Sequence, residues 1–173
     1  MKKNNTLYFF TSTILEWKHL LKDNNYKVII TDTLKFLCTA EKIKVCAFVI
    51  MPNHIHLVWK ILPDNNYSDI QRDFLKFTAK EIISRLKKDS PEYLKHFFVG
   101  ARDRNYQIWE RSPLSIEILS KEVAEQKINY IHKNPLTEKW KLADEPQHYK
   151  FSSAKFYYEG IDEFGFLENY MLV

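Results

Sequence analysis

Glycine is nearly missing from this chain of 173 residues: only Gly100, Gly160 and Gly165 are present, each isolated. That scarcity excludes glycine-rich phosphate loops and argues against a Rossmann or P-loop nucleotide site. Cysteine is scarce too. Cys38 and Cys46 lack the short paired spacing of zinc or redox motifs and read as reduced thiols of a cytoplasmic protein. No apolar run approaches a membrane span. Met1-Lys2-Lys3-Asn4-Asn5-Thr6 leads straight into strand-like sequence without the apolar core of a signal peptide. What is abundant forms cores: 45% hydrophobic and 15% aromatic residues imply a folded globule. The length suits one domain over residues 1–173, with 140–173 as a tail packed on it. The formal net charge of +4 is unevenly placed, with nine Lys/Arg against four acids in residues 1–60 and one lysine against four acids in 151–173. Such an excess is compatible with phosphate-backbone binding without requiring it.

Periodicity orders the elements. Leu7 to Thr13 reads as a strand, followed by an amphipathic turn around Trp17 and Leu20-Leu21 and a polar break at residues 22–25. Ile29, Leu34, Leu37 and Cys38 predict a helix over 28–40. Lys44 to Ile50 and His54 to Ile61 form an antiparallel hairpin around the Met51-Pro52-Asn53 turn. Ser68 is expected to cap a second helix bearing Ile70, Phe74, Phe77, Ile82 and Leu86 on its apolar side. Residues 87–104 read as irregular, and Tyr106 to Glu110 as a fourth strand. Ser120 caps a third helix over 121–134, which Pro135 ends. Residues 151–158 fit either a short helix or a packed extended arm. The order strand, helix, hairpin, helix, strand, helix suits an α+β ferredoxin-like plait, an antiparallel sheet with helices on one face.

The pair His54-Ile55-His56 carries the chemistry. Alternate strand residues share a face, so the two imidazoles sit side by side while Ile55 turns into the core. Two neutral imidazoles so placed can share a divalent metal, or they can simply decorate an exposed strand face. On the third helix Tyr130 and Asn134, four apart, share a face, with Ile128 and Ile131 toward the core.

Met51 to Val58 together with Tyr130-Ile131-His132-Lys133-Asn134-Pro135 resembles the REP-associated tyrosine transposases, one-tyrosine single-strand transposases of the HUH nuclease superfamily. The resemblance runs from the Tyr8-Phe9-Phe10-Thr11 strand through Ile108-Trp109-Glu110-Arg111-Ser112 to Phe151-Ser152-Ser153-Ala154. It implies His54, His56 and Asn134 as metal ligands and Tyr130 as the nucleophile. Relatives among insertion-sequence enzymes usually have glutamine where Asn134 stands. It also implies magnesium or manganese, although imidazole ligands suit manganese, cobalt or zinc better than magnesium. The implied partner is hairpin-forming single-stranded DNA, without a membrane, bound by a monomer or a homodimer.

A phenol ionises near pH ~10 and needs orientation and deprotonation to attack phosphorus. Attack leaves a 5′-phosphotyrosine and a free 3′-hydroxyl, which can reverse the step. Arg102, Arg104 and Arg111 read as flanking the site, in position for phosphate contacts or as solvated charges. His132 and Lys133 are expected at the surface against phosphate. Glu110 reads as a carboxylate assisting the metal or a solvated strand residue, and His148 as a packed or solvated histidine in preference to one approaching the site from the tail. His19 and His96 have no partner pattern. Tyr106, Trp109, Tyr157 and Tyr158, where exposed, suit stacking on unpaired bases. The competing function is a non-catalytic, domesticated single-strand-binding module. A His-x-His-x-His phosphoesterase is disfavoured by Val58.

Overall fold

The computed structural model describes residues 6–173; segment 1–5, expected to lead into the first strand, lies outside them. Strands β1 (Leu7–Thr13), β2 (Ile43–Ile50) and β3 (His54–Ile61) form the middle and one edge of a four-stranded sheet. Helices α1 (Asn24–Thr39) and α2 (Tyr67–Asp89) make the connections, and the four-residue α3 (Pro91–Leu94) follows α2. A separate hairpin, β4 (Phe98–Ala101) and β5 (Arg104–Tyr106), precedes β6 (Leu114–Ile118) and helix α4 (Lys121–Lys133). The sheet order is β2-β3-β1-β6, antiparallel throughout, the arrangement of a ferredoxin-like plait.

Alternation on the central strands sorts two cores. Phe10 of β1 and Ile55, Leu57 and Trp59 of β3 meet Ile30 and Leu34 of α1 and Phe74 and Ile82 of α2 on one face. Phe9 and Val58 point the other way and meet Ala124, Ile128 and Ile131 of α4. Each fully buried large apolar side chain contributes about 1.5–3 kcal/mol. The two long helices share a face as the plait requires, whereas α4, expected beside them, covers the opposite face. A bulge between Val45 and Ala47 turns both Cys46 and Ala47 toward α4.

Several boundaries move. Helix α1 starts at Asn24 because the Asp23 carboxylate accepts from Asn25 N. Helix α2 is capped by Asn66, which accepts from Asp69 N, and not by Ser68. Phe77 is exposed. The fourth strand of the sheet is β6, not 106–110. Trp109 makes only an isolated bridge to Ile14, and its indole N–H donates to Thr78 Oγ1 at 3.0 Å inside the core. The segment read as irregular contains the β4–β5 hairpin.

The tail does both things expected of it. Ser152 bridges Val49 as an extended arm, and α5 (Ala154–Glu159) follows at once. Three tail side chains grip backbone groups of β2: Tyr149 donates to Ile50 O, Tyr157 to Cys46 O, and Ser153 Oγ accepts from Phe48 N. Among the described residues no helix is long and apolar enough to cross a membrane.

Candidate metal and nucleophile site

Strand alternation puts His54 and His56 on the face that α4 covers, with ring centroids 4.7 Å apart. The His54 Nδ1–H donates to Asn53 Oδ1 at 2.6 Å, and His56 Nδ1 bonds Thr11 Oγ1 at 2.6 Å across the β1–β3 pairing. Bonds at Nδ1 fix the ring orientation and leave Nε2 free to serve as a ligand. The His56 Nε2 is buried and bonds nothing. Leaving such a group unsatisfied costs about 1–3 kcal/mol.

Helix α4 lays the second half of the site across this pair. Ser120 caps it as expected, accepting from Val123 N, and Ile128 and Ile131 seat it on the sheet. Tyr130 remains half-exposed, with its ring centroid 5.2 Å from that of His56. Asn134 stands where α4 gives way to a tight turn, itself buried, and its amide partly offsets the effect of burial on His54. Its Oδ1 has no hydrogen-bond donor of its own. Strand and helix therefore meet, and His56 Nε2 and Asn134 Oδ1 are both buried without a hydrogen-bond partner. The donor set fits a divalent ion of intermediate softness: two imidazole nitrogens and one amide oxygen. Among the described residues no three His, Cys, Asp or Glu gather at one point.

Burial pushes the His56 imidazole down to about 3, helped by the neighbouring His54 and Lys127 charges. His54 is held at about 4, again first by burial, with Lys139 adding to the effect and Asn134 opposing it. Both rings are thus neutral, the form that binds metal.

Other expected residues lie elsewhere. His132 was expected at the surface, yet it is 2% exposed and its Nε2 bonds Ser153 Oγ at 2.8 Å. A residue two positions beyond exposed Tyr130 is rotated to the opposite, packed side of the helix. Arg104 and Arg111 were expected to flank the tyrosine; they line a groove beside α2 on the other face, while Arg102 is exposed at the β4–β5 turn. Lys133 is exposed as expected. Glu110 is neither free in solvent nor aimed at the histidines: its Oε1 accepts from Glu16 N at 2.6 Å. There it braces a turn in which Glu16 and Trp17 both have left-handed backbone. His148 is exposed beside Glu145. Of the aromatic candidates, Trp109 is buried and Tyr158 is exposed.

Sequence reading missed the supports. Thr11 and Asn53 are found only through strand register and the turn. Trp140 stands with its ring centroid 6.0 Å from His54. Lys127, one turn before Tyr130, was legible by helical spacing; its Nζ lies 4.7 Å from the Phe9 ring centroid.

Comparison with known proteins bears on the fold and the family. Among solved structures, a REP-associated tyrosine transposase bound to a REP hairpin superposes with a TM-score of 0.65 at 17% identity, covering 96% of this chain and 88% of that one. A protein of Deinococcus radiodurans R1 assigned as a transposase gives a TM-score of 0.51 at 18% identity, covering 72% and 87%. At those identities the likeness speaks for the fold. No curated protein matches. The model of the family described as "Transposase IS200 like" matches residues 6–134, which span β1 through Asn134, and the chain belongs to that family.

Proposed function

We propose that this protein is a metal-dependent single-strand DNA endonuclease and strand transferase that works through a 5′-phosphotyrosine intermediate on hairpin-forming DNA. The observation that carries the reading is the Tyr130 ring against His56, beside the bare His56 Nε2 and Asn134 Oδ1. Family membership and the hairpin held by the solved relative support the class of substrate.

His54, His56 and Asn134 would hold the ion, Mg2+ or Mn2+, the imidazole pair favouring Mn2+. When bound, it supplies positive charge that polarises the scissile phosphate. Tyr130 Oη attacks phosphorus: the P–Oη bond forms as the bond to the 3′ oxygen breaks. The phenol gives up its proton and the leaving 3′ oxygen gains one, so the step is reversible by the same hydroxyl or by another strand's. Half-exposure lets Tyr130 meet DNA, and packing of α4 limits its swing. Lys127 and Lys139, whose charges already act on the histidines, supply fixed positive potential for a phosphate. Tyr130 serves the histidines of its own chain. The tail from 140 belongs to the same domain, and the protein acts in the cytoplasm, where half-buried Cys38 and buried Cys46 stay as thiols whose ionisation burial opposes.

The test is a denaturing gel of purified protein with end-labelled hairpin oligonucleotides and Mn2+ or Mg2+. A covalent adduct should form, vanish with chelator and be abolished in Tyr130→Phe, with DNA binding retained. Binding without any adduct would instead identify a non-catalytic module.

A further inference from the structure

Two loops meet beside His54: segment 14–23, between β1 and α1, and segment 134–142, which follows α4. The second is folded back onto Asn134. Thr137 donates to Asn134 O through its N–H at 3.4 Å and its hydroxyl at 3.1 Å, Trp140 N donates to Thr137 O at 2.9 Å, and Leu142 N to Pro135 O at 2.8 Å. Trp140 is thereby tied to the residue whose amide closes the site. Its ring centroid lies 6.0 Å from that of His54 and 5.5 Å from that of His19. The indole is half-buried, packed against the margin of the α4-side core, and His19 is exposed. Lys139, also exposed, holds its Nζ over the indole at 5.3 Å, and its charge is felt at His54. A flat ring with a movable cation above it is a surface for another flat ring, since every base presents a π-face that stacks on an aromatic side chain. Tyr130 stands across the His56 ring from this corner, so a nucleotide whose phosphate lies at the histidines has its base within reach of Trp140.

We infer that Trp140 is the stacking platform for one unpaired nucleobase, that of a nucleotide flanking the scissile phosphate, with Lys139 swinging aside to meet an adjoining phosphate. The inference rests on the reading that the chain acts on single-stranded DNA. It adds to that reading a residue that holds the strand in register with Tyr130.

The probes are a fluorescent hairpin with a single-stranded extension and a series in which one extension nucleotide at a time is abasic, titrated by anisotropy in Tyr130→Phe protein so that no strand is cut. Trp140→Leu keeps apolar bulk but removes the flat ring, and the intact extension should bind it about tenfold more weakly. Trp140→Phe should keep most of the affinity. One abasic position should weaken binding to Trp140-bearing protein by about the same factor and make no further difference in Trp140→Leu. That position should adjoin the phosphate that wild-type protein links to Tyr130. Mn2+ affinity should not change in Trp140→Leu, and the loss of tryptophan fluorescence on binding DNA should disappear in Trp140→Leu but persist in Trp17→Leu. No abasic position that weakens binding, losses that simply add, a fall in Mn2+ affinity matching the loss of DNA, or the coupling moving to Trp17→Leu would each overturn the inference; the first of these needs no variant at Trp140. Wild-type protein that binds no extension overturns the single-strand reading as well. Protein that forms no adduct yet shows the coupled position sinks the chemistry and keeps the platform.

Discussion

The two faces of the sheet handle polar groups in opposite ways. On the α4 face the two histidines are neutral and enclosed: His54 and His56 are held uncharged and oriented by Asn53 and Thr11, and His56 Nε2 and Asn134 Oδ1 are buried without partners, with Lys127 and Lys139 adding charge nearby. On the α2 face the groove is open and densely charged, and its lysines and arginines are exposed. The difference follows from what encloses each surface. A metal needs few donors in fixed positions with little competing water, whereas cations left in solvent stay mobile and hydrated.

Removing a proposed metal ligand should break that division most sharply. His56→Ala should cut adduct formation by at least ~100-fold while leaving the salt dependence of hairpin binding intact, since no cationic side chain is removed. A gel and an anisotropy titration on the same preparation would check it; parallel loss of binding would erase the division. A smaller effect is expected of Thr11→Val, which keeps the shape but removes the partner of His56 Nδ1. Metal affinity, read by Mn2+ titration, should fall ~10–100-fold with hairpin affinity unchanged.

The smallest effect concerns acid. Burial holds His132 at about 4, below its usual 6.5. As pH falls below about 6.5 the unfolded chain takes up a proton that the folded ring refuses, so stability is full above that pH and declines toward 4. One such histidine contributes about 1.4 kcal/mol per pH unit within that window. His54 and His56 add to it in metal-free protein. Thermal midpoints of metal-free protein between pH 7 and 5 should therefore drop, and His132→Gln should flatten the decline by one histidine's share. Identical slopes would show that His132 is not buried as described.

Much of this was legible because it is local. The hairpin around Pro52, the cap at Ser120 and the histidine alternation each depend on a few neighbouring residues, and all three stand where the sequence put them. The fourth strand was misplaced because aromatic residues at 106–110 looked like a strand but pack as an isolated crossing. The alternation Leu114-Ser115-Ile116-Glu117-Ile118 carried the true signal. His132 was misread because the exposed side of α4 is known only once the tail is docked. That Arg104 and Arg111 line the groove beside α2 was illegible for a related reason: which face a loop joins is a long-range fact that no spacing encodes.

The grip of the tail on β2 has one more effect. A four-stranded sheet has two edges, and here Tyr149, Tyr157 and Ser153 occupy the β2 edge, with Phe151 O accepting from Ile50 N. Only the outer side of β6 is left without a strand partner among the described residues. In the language of assembly, the sheet is monovalent: strand addition through β6 can join two copies back to back and then stops, so growth into a fibre by this route is closed off.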